Sequence, residues 1–346
     1  MDAGPKRNLK LRYWALAVGV TVVILGWSGG WFYLRAELEN QIGTQLERLE
    51  RRGQTASCAN MAIAGFPFRF EVSCSTPQIS DTQGRSSEIR ALRTVALIYK
   101  PWHVIAEAAG PLMHVDRALG LEVRADWQTA RSSFIFSTQD LQQFDFSADG
   151  VRIAAAGPVD TIELAAGKGE LHTRPLPGVP ETLEVFLTVD DLRQPQAMNA
   201  DNPFSLKLHT QVADGMALMG GRGLESLFQG YEDTIPVKLV WASLVSGTME
   251  IDVSGDLEID RDGYASGRAT MTLKGSEGLS RRLLEIFPNA EDAIGLIEGA
   301  ALSFGERSVD DQGVPQIRLP LTLKNGRISV GLVPLWVLPP LFGSES

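Results

Sequence analysis

Residues 58–74 read Cys-Ala-Asn-Met-Ala-Ile-Ala-Gly-Phe-Pro-Phe-Arg-Phe-Glu-Val-Ser-Cys and contain the only two cysteines of the 346-residue chain. From Phe66 to Ser73, apolar and polar residues alternate, which predicts a β-strand with one buried face. Pro67 lacks a backbone donor, so we expect the strand to begin there or to lie at a sheet edge. The stretch therefore places the start of a β-sheet between the cysteines.

The two cysteines, Cys58 and Cys74, are expected to form a disulfide. A single pair with no other cysteine suits a compartment in which disulfides persist. The pair encloses 15 residues, and closing a loop of that size contributes about 3 kcal/mol through chain entropy. The alternative is two buried free thiols in a cytosolic domain.

Upstream of this stretch, an uncharged apolar run extends from Tyr13 to Leu34. Its 22 residues would span about 33 Å as a helix, which matches one hydrocarbon core. The run ends in Gly-Gly-Trp-Phe-Tyr-Leu and offers no small-residue cleavage site, so we interpret residues 13–34 as an uncleaved transmembrane signal anchor.

The flanks of the anchor predict its orientation. The leader, residues 1–12, has four Lys or Arg, whereas only Arg35 and Arg48 occur in the fifteen residues after the anchor. This asymmetry places the amino terminus in the cytoplasm. With the expected disulfide, it predicts a single-pass protein of the bacterial inner membrane whose body is periplasmic.

Residues 35–53 are predicted to form a helical connector. One helical face carries Leu34, Leu38, Ile42, Leu46 and Leu49, a spacing that predicts packing on the body. Glycine at position 53 is expected to end the helix.

Residues 54–346 form the predicted body, as one large or two medium domains. The fold class is mainly β, a β-rich α+β fold in which the transmembrane helix precedes a long curved antiparallel sheet. Further strands are expected near residues 90–99, 121–127, 133–137, 151–155, 161–171, 183–189, 204–210, 237–244, 248–259, 267–274 and 316–324.

Turn and helix signals divide these strands. Asp-Gly or Asn-Gly pairs at 149–150, 214–215, 262–263 and 325–326 predict tight turns. Helical spacing predicts a helix through Leu279, Leu283, Leu284 and Phe287, a second through Ala293, Ile294, Ile297 and Ala300, and a short third at 102–109.

Charge and residue types exclude several functions. The net charge is −10, and the leader carries +3, so the body is too acidic for nucleic acid to be a partner. Four histidines occur without HExxH spacing, and no catalytic, cofactor-binding or metal-ligating residues are predicted. The acidic row Asp256, Glu258, Asp260 and Asp262 fits either a calcium loop, which would lack its final Glu, or a solvated hairpin face.

The carboxyl end, residues 328–342, is strongly apolar, yet its three prolines forbid a spanning helix. We expect a closing strand and a tail packed on the core. The alternative is an exposed contact for a partner, a ligand or a membrane, and the candidate contact residues are Leu332, Leu335, Trp336, Leu338 and Phe342.

The motif Cys58…Gly65-Phe66-Pro67-Phe68…Cys74 resembles the signature of a bacterial envelope family, "domain of unknown function 2125". Pro101-Trp102-His103-Val104 and Asn325-Gly326-Arg327 are similar to two weaker segments of that family. The resemblance covers essentially the whole chain and implies an amino-terminal anchor and an envelope location, without a substrate.

The architecture also resembles AsmA-type proteins, in which one inner-membrane helix precedes a long sheet with an apolar inner face for acyl chains. That likeness implies a protein that binds or transfers a lipid or another apolar ligand in a β-groove. The alternative is a non-enzymatic structural or assembly factor that binds envelope proteins. Residues alone leave the oligomeric state open.

Overall fold

The fold is a long amino-terminal helix followed by one large antiparallel sheet. The coordinates are a computed structural model that describes residues 9–137, 140–158, 161–195, 203–275, 284 and 291–342. Helix α1, Leu9–Arg51, has 43 residues, so the predicted anchor and connector are one continuous helix. By length and composition, α1 is able to cross a membrane. Gly53 adopts a φ of 77° in the turn that follows α1.

The helices and strands have the following bounds. In the described ranges, the other helices with assigned bounds are α2 (Met216–Met219), a 3₁₀ helix (Leu224–Gly230) and α3 (Glu291–Phe304). The strands are β1 (Gln54–Ala64), β2 (Arg69–Asp81), β3 (Arg85–Leu97), β4 (Lys100–Asp116), β5 (Leu121–Asp126), β6 (Thr129–Phe136), β7 (Leu141–Ala156), β8 (Thr161–Leu176), β9 (Val179–Leu192), β10 (Phe204–Val212), β11 (Thr234–Ser246), β12 (Met249–Asp260), β13 (Ala265–Lys274), β14 (Glu306–Val309), β15 (Pro315–Lys324), β16 (Arg327–Val330) and β17 (Val333–Val337).

The strands pair in chain order as an antiparallel meander, which confirms the predicted fold class. The short strands β5 and β6 together fill the place of one strand, because each pairs with both β4 and β7. Near the end, β13, β14 and β16 all pair with β15. All eleven predicted strand runs overlap strands of the structure.

Three local predictions are wrong. Residues 102–109 are part of β4 and not a helix, because pairing with β3 and β6 overrides a short helical pattern. The strand predicted from Phe66 begins only at Arg69. The pair at 149–150 lies inside β7, where Gly150 has a φ of 61° and the Asp149–Lys168 and Val151–Ala166 pairs keep one register with β8, so the strand continues through it.

Other turn signals are correct. Asn325 and Gly326 have φ values of 49° and 76°, the conformation of a tight hairpin, and they connect β15 to β16. Gly263, with a φ of 85°, lies in the turn between β12 and β13.

One face of the sheet, here called the inner face, carries the core. Directly paired residues share a face, and a row of such pairs crosses β9 to β13 through Val189, Leu206, Leu244, Ile251 and Leu273. The last three of these belong to the main hydrophobic cluster, to which α3 contributes Ile294, Ala300 and Ala301. The inner face of the carboxyl-terminal half is therefore covered by α3.

The predicted second helical patch corresponds to α3. Of the first patch, Leu284 packs against the same cluster, whereas positions 279, 283 and 287 lie outside the described residues. Ala217 of α2, Leu227 and Phe228 of the 3₁₀ helix and Ile235 of β11 form a smaller cluster.

The disulfide Cys58–Cys74 joins the first two strands, with Cα atoms 5.6 Å apart. It ties β1 to β2 beside the irregular register between Ser57 and Ala62.

We expect thiol labelling of unfolded, non-reduced protein to find no free cysteine. The free energy of unfolding of the double variant C58S/C74S should be about 3 kcal/mol lower, because its unfolded chain regains the entropy of an open loop. Denaturant titration of the body measures this loss. Two labelled cysteines in the parent protein would contradict the prediction.

Candidate functional site

The inner face of β5, β7, β8 and β9 forms an apolar groove with a volume of about 520 Å³. The lining residues are Ala125, Trp127, Phe146, Ala148, Val151, Ile153, Leu164, Ala165, Ala166, Gly169, Glu170, Leu171, Leu187, Val189 and Leu192. Because Val189 belongs to the row that continues into the main cluster, the groove is an uncovered extension of the core face.

Large aliphatic side chains in and beside the groove remain in contact with solvent. Ile153 and Leu164 are a directly paired couple on β7 and β8, and both are exposed. Ile162, two residues before Leu164, is 53 % exposed. Neighbouring exposed residues of this size are the pattern of a ligand or partner site.

Polar groups along the groove are satisfied within the protein. Glu170 is the one charged residue of the lining, and its carboxylate pairs with Lys168 Nζ at 2.7 Å. Trp127 Nε1 donates to the carbonyl of Ala108 at 2.8 Å, so its ring offers apolar surface without an unsatisfied donor. The groove is thus suited to hydrocarbon.

A glycine allows the Trp127 ring to lie against β4. A Cβ atom at Gly110 would come within 3.3 Å of two carbons of the Trp127 ring. The residue sits where the register of β4 passes from β5 to β6, so the interruption of these strands creates the space that the indole fills.

The motif Gly65-Phe66-Pro67-Phe68 forms the turn between β1 and β2, here called the docking turn, and α1 packs on it. Trp27 Nε1 donates to the carbonyl of Pro67 at 2.9 Å, and Trp31 Nε1 donates to that of Arg69 at 3.2 Å. Gly65 has a φ of 102°, and a Cβ there would clash with Arg69, so the turn requires glycine.

Aromatic rings complete the contact. Trp31 is only 4 % exposed. Its ring stacks on Phe70 with centroids 5.5 Å apart and meets Phe66 edge-on at 5.5 Å. Phe66 also stacks on Phe32 at 5.8 Å. Farther along α1, Leu38, Ile42, Leu46 and Leu49 are half-buried, whereas Leu34 is exposed.

The docked helix borders the groove side of the sheet. Phe70 belongs to a row of directly paired inner-face residues that continues through Ala96, Val104, Phe134 and Phe144. Helix α1 therefore covers the inner face at β1 and β2, and α3 packs on β15 and β17 at the other end of the sheet. The apolar groove lies between the two helices.

Histidines occur in polar contacts on several strands. The nitrogen–oxygen distances are 3.0 Å for His103–Ser133, 2.8 Å for His114–Ser87, 2.8 Å for His172–Asp145 and 2.9 Å for His209–Glu184. In the described part of the chain, these contacts do not join a serine, a histidine and a carboxylate into a triad.

The most buried charged group among the described residues is the carboxylate of Glu184. Burial alone would raise the pKa of Glu184, but hydrogen bonds from Arg174 and His209 outweigh it and hold the pKa below its ordinary value. The Arg174 Nε–Glu184 Oε2 distance is 2.8 Å, and the His209 ring stacks on Phe186 at 4.0 Å. This network joins β8, β9 and β10.

The acidic row and the carboxyl end show ordinary packing. Asp260 accepts backbone hydrogen bonds from Asp262 and Tyr264 in the β12–β13 turn, and no group of metal-ligating side chains occurs in the described ranges.

At the carboxyl end, Leu335 is buried, and Leu338 and Phe342 pack against the two clusters. Leu332 and Trp336 are exposed.

The sequence alone did not predict the groove residues as a site. Their strands were predicted, but an apolar position covered by a helix and one left open have the same periodicity. The docking turn was found as a motif, although its role as the seat of α1 required the structure.

We expect Trp31→Ala to release α1 from the docking turn. Loss of a buried Trp ring costs about 3 kcal/mol, so amides of residues 65–75 should exchange hydrogen about 100-fold faster. The control is Trp14→Ala, since Trp14 lies on the same helix and is 72 % exposed. Mass spectrometry measures the hydrogen exchange. Equal exchange rates at residues 65–75 in the two variants would contradict the role of Trp31 in holding α1.

The similarity of this chain to known proteins lies at the level of a family. Curated proteins include no match to this chain, and solved structures include none either. A bacterial family described as "Uncharacterized protein conserved in bacteria (DUF2125)" matches residues 31–339. That range includes the docking turn, the disulfide and the strands of the groove, and the chain therefore belongs to the DUF2125 family.

Proposed function

We propose that this protein is a non-enzymatic, membrane-anchored protein of the bacterial envelope that binds, and by exchange transfers, a lipid or another apolar ligand. The observation that carries the proposal is the open apolar groove of about 520 Å³ on the inner face. In this proposal, α1 spans the inner membrane with its amino terminus in the cytoplasm, and the sheet lies in the periplasm.

The size and lining of the groove support an acyl chain as the ligand. Small-molecule sites have volumes of about 300–1,000 Å³ and are mostly apolar. Each methylene group removed from water contributes about 0.8 kcal/mol, so burial of ten methylenes contributes about 8 kcal/mol before the ordering of the chain is subtracted. Such a ligand needs no charged partner at the groove floor.

The disulfide and the leader support the proposed location. The Cys58–Cys74 bridge favours an oxidising compartment, and the basic leader favours a cytoplasmic amino terminus. The Glu184 network supports a non-enzymatic role, because both carboxylate oxygens are engaged by Arg174 and His209 and are not directed at a nucleophile.

A second candidate function, the binding of envelope proteins, is favoured by β17. In the described part of the sheet, β17 pairs with β16 alone, and Trp336 and Val337 are exposed. An apolar strand with an open edge is suited to adding a strand from a partner. A protein that co-purifies with the parent but not with a W336S/V337S variant would support this candidate.

The experiment uses the full chain in nanodiscs that contain a phospholipid with a photoreactive acyl chain. Illumination followed by peptide mass spectrometry should give adducts on β7, β8 and β9 as well as on α1. Leu164→Arg should remove the sheet adducts, because a guanidinium in the groove would have to be desolvated.

The matched control is Thr161→Arg, which adds the same charge on the same strand at an exposed position outside the groove lining. It should leave the sheet adducts unchanged. Adducts on α1 report that the lipid reached the protein in every sample. Adducts confined to α1 in the parent protein would overturn the proposed lipid site.

A further inference from the structure

Exposed aromatic side chains gather at one end of the sheet, next to α1. We call this set the rim, and it consists of Phe66 and Phe68 in the docking turn, Tyr99 between β3 and β4, Trp102 in β4 and Phe136 at the end of β6. The docking turn and the β3–β4 turn are adjacent, since the Ile98 amide donates a hydrogen bond to the carbonyl of Phe68 at 3.0 Å.

The position of α1 relates the rim to the apolar run. Trp27 contacts the docking turn through Pro67 and lies 6.4 Å from Phe68 between ring centroids. Trp27 precedes the end of the apolar run at Leu34 by seven residues, or about 10 Å along a helix. The contact therefore lies inside the apolar run and not beyond its end.

From these observations, and on the proposed anchoring of α1 in the membrane, we infer that the rim inserts into the headgroup–acyl boundary of the bilayer that α1 spans. Tyr and Trp are favoured at this depth because one part of the ring is apolar and another forms hydrogen bonds. The sheet is then a body that touches the bilayer with its end and not merely a domain on a tether.

Charge at the rim agrees with this placement. The turn segments 65–68 and 98–102 contain no acidic residue, and Lys100 lies between Tyr99 and Trp102. The acidic body would be repelled by anionic lipid headgroups, whereas these two turns offer aromatic rings and a cation to them. The third turn of the rim, after Phe136, carries one acidic residue, Asp140.

The opposite end of the same strands has a different character. Its turns, 82–84 and 117–120, contain no aromatic residue. The two ends of β4 are separated by 17 residues, or roughly 55 Å at the rise of an extended strand. The aromatic residues are thus concentrated at the end where α1 docks.

The inner face continues from the rim to the groove. The rings of Phe136 and Phe134 are stacked with centroids 6.4 Å apart. The centroids of Phe134 and Phe144 are 5.1 Å apart. Two residues along β7, Phe146 lines the groove. Aromatic side chains therefore occur along the inner face from the rim to the groove.

The test compares two environment-sensitive fluorophores attached to introduced cysteines in the full chain. Tyr99→Cys places the label on the rim, and Leu119→Cys places it at the opposite end of β4. The parent residues are similarly exposed, at 70 % and 65 %. Because Cys58 and Cys74 are bridged, each variant has one free thiol.

In proteoliposomes of phosphatidylethanolamine and phosphatidylglycerol, the label at position 99 should be blue-shifted and quenched by lipids that carry bromine near the headgroup end of the acyl chain. The label at position 119 should show neither change. Trp102→Cys repeats the rim measurement at a second position. Water-like, unquenched emission from both rim positions would overturn the inference.

The same samples separate this inference from the proposed function. Flotation of the liposomes after alkaline extraction reports whether α1 is inserted. Loss of flotation would contradict the anchoring itself and the inference with it. Intact flotation with unquenched rim labels would contradict only the rim placement, and the photoreactive lipid still reports separately on the groove.

Discussion

The packing of Trp31 between Phe66 and Phe70 is the contact on which the arrangement of this protein depends. It joins a helix that is able to cross a membrane to the first two strands of the sheet. The indole both buries its ring and donates to the carbonyl of Arg69. A helix held by ring packing and a hydrogen bond has a defined direction relative to the sheet, whereas a helix joined only by a linker does not.

This direction determines what surrounds the groove. Helix α1 covers the inner face at its first strands, and α3 covers it in the second half of the sheet. Between them, on β7 and β8, apolar side chains such as Ile153, Ile162 and Leu164 remain exposed. A soluble domain ordinarily covers such surface, and its retention between two helices supports a groove that a ligand occupies.

Sequence patterns predicted most of the sheet and its cysteine staple because strand periodicity and turn residues are local signals. They missed β1, whose residues around Cys58 do not alternate in polarity, and they placed a hairpin turn at Gly150, which lies inside β7. A glycine inside a strand and a glycine in a turn can both adopt a positive φ, so the sequence around Asp149 does not distinguish them.

The site was less predictable than the sheet. Residues Phe66 to Phe68 were recognised as a motif and interpreted as a strand, since their alternation resembles one. Their actual partner is Trp31, 35 residues earlier than Phe66, and a contact at that separation leaves no local pattern. The groove depends likewise on which strands the helices leave uncovered.

The most direct test of a docked helix is a distance distribution between α1 and the sheet. Spin labels at Glu47→Cys on α1 and Glu88→Cys on β3, both exposed positions, can be measured by double electron–electron resonance with the full chain in nanodiscs. If α1 is docked on the sheet, the distance between the two labels should have one narrow distribution. A broad distribution, as expected for a sheet that moves freely on a tether, would contradict it.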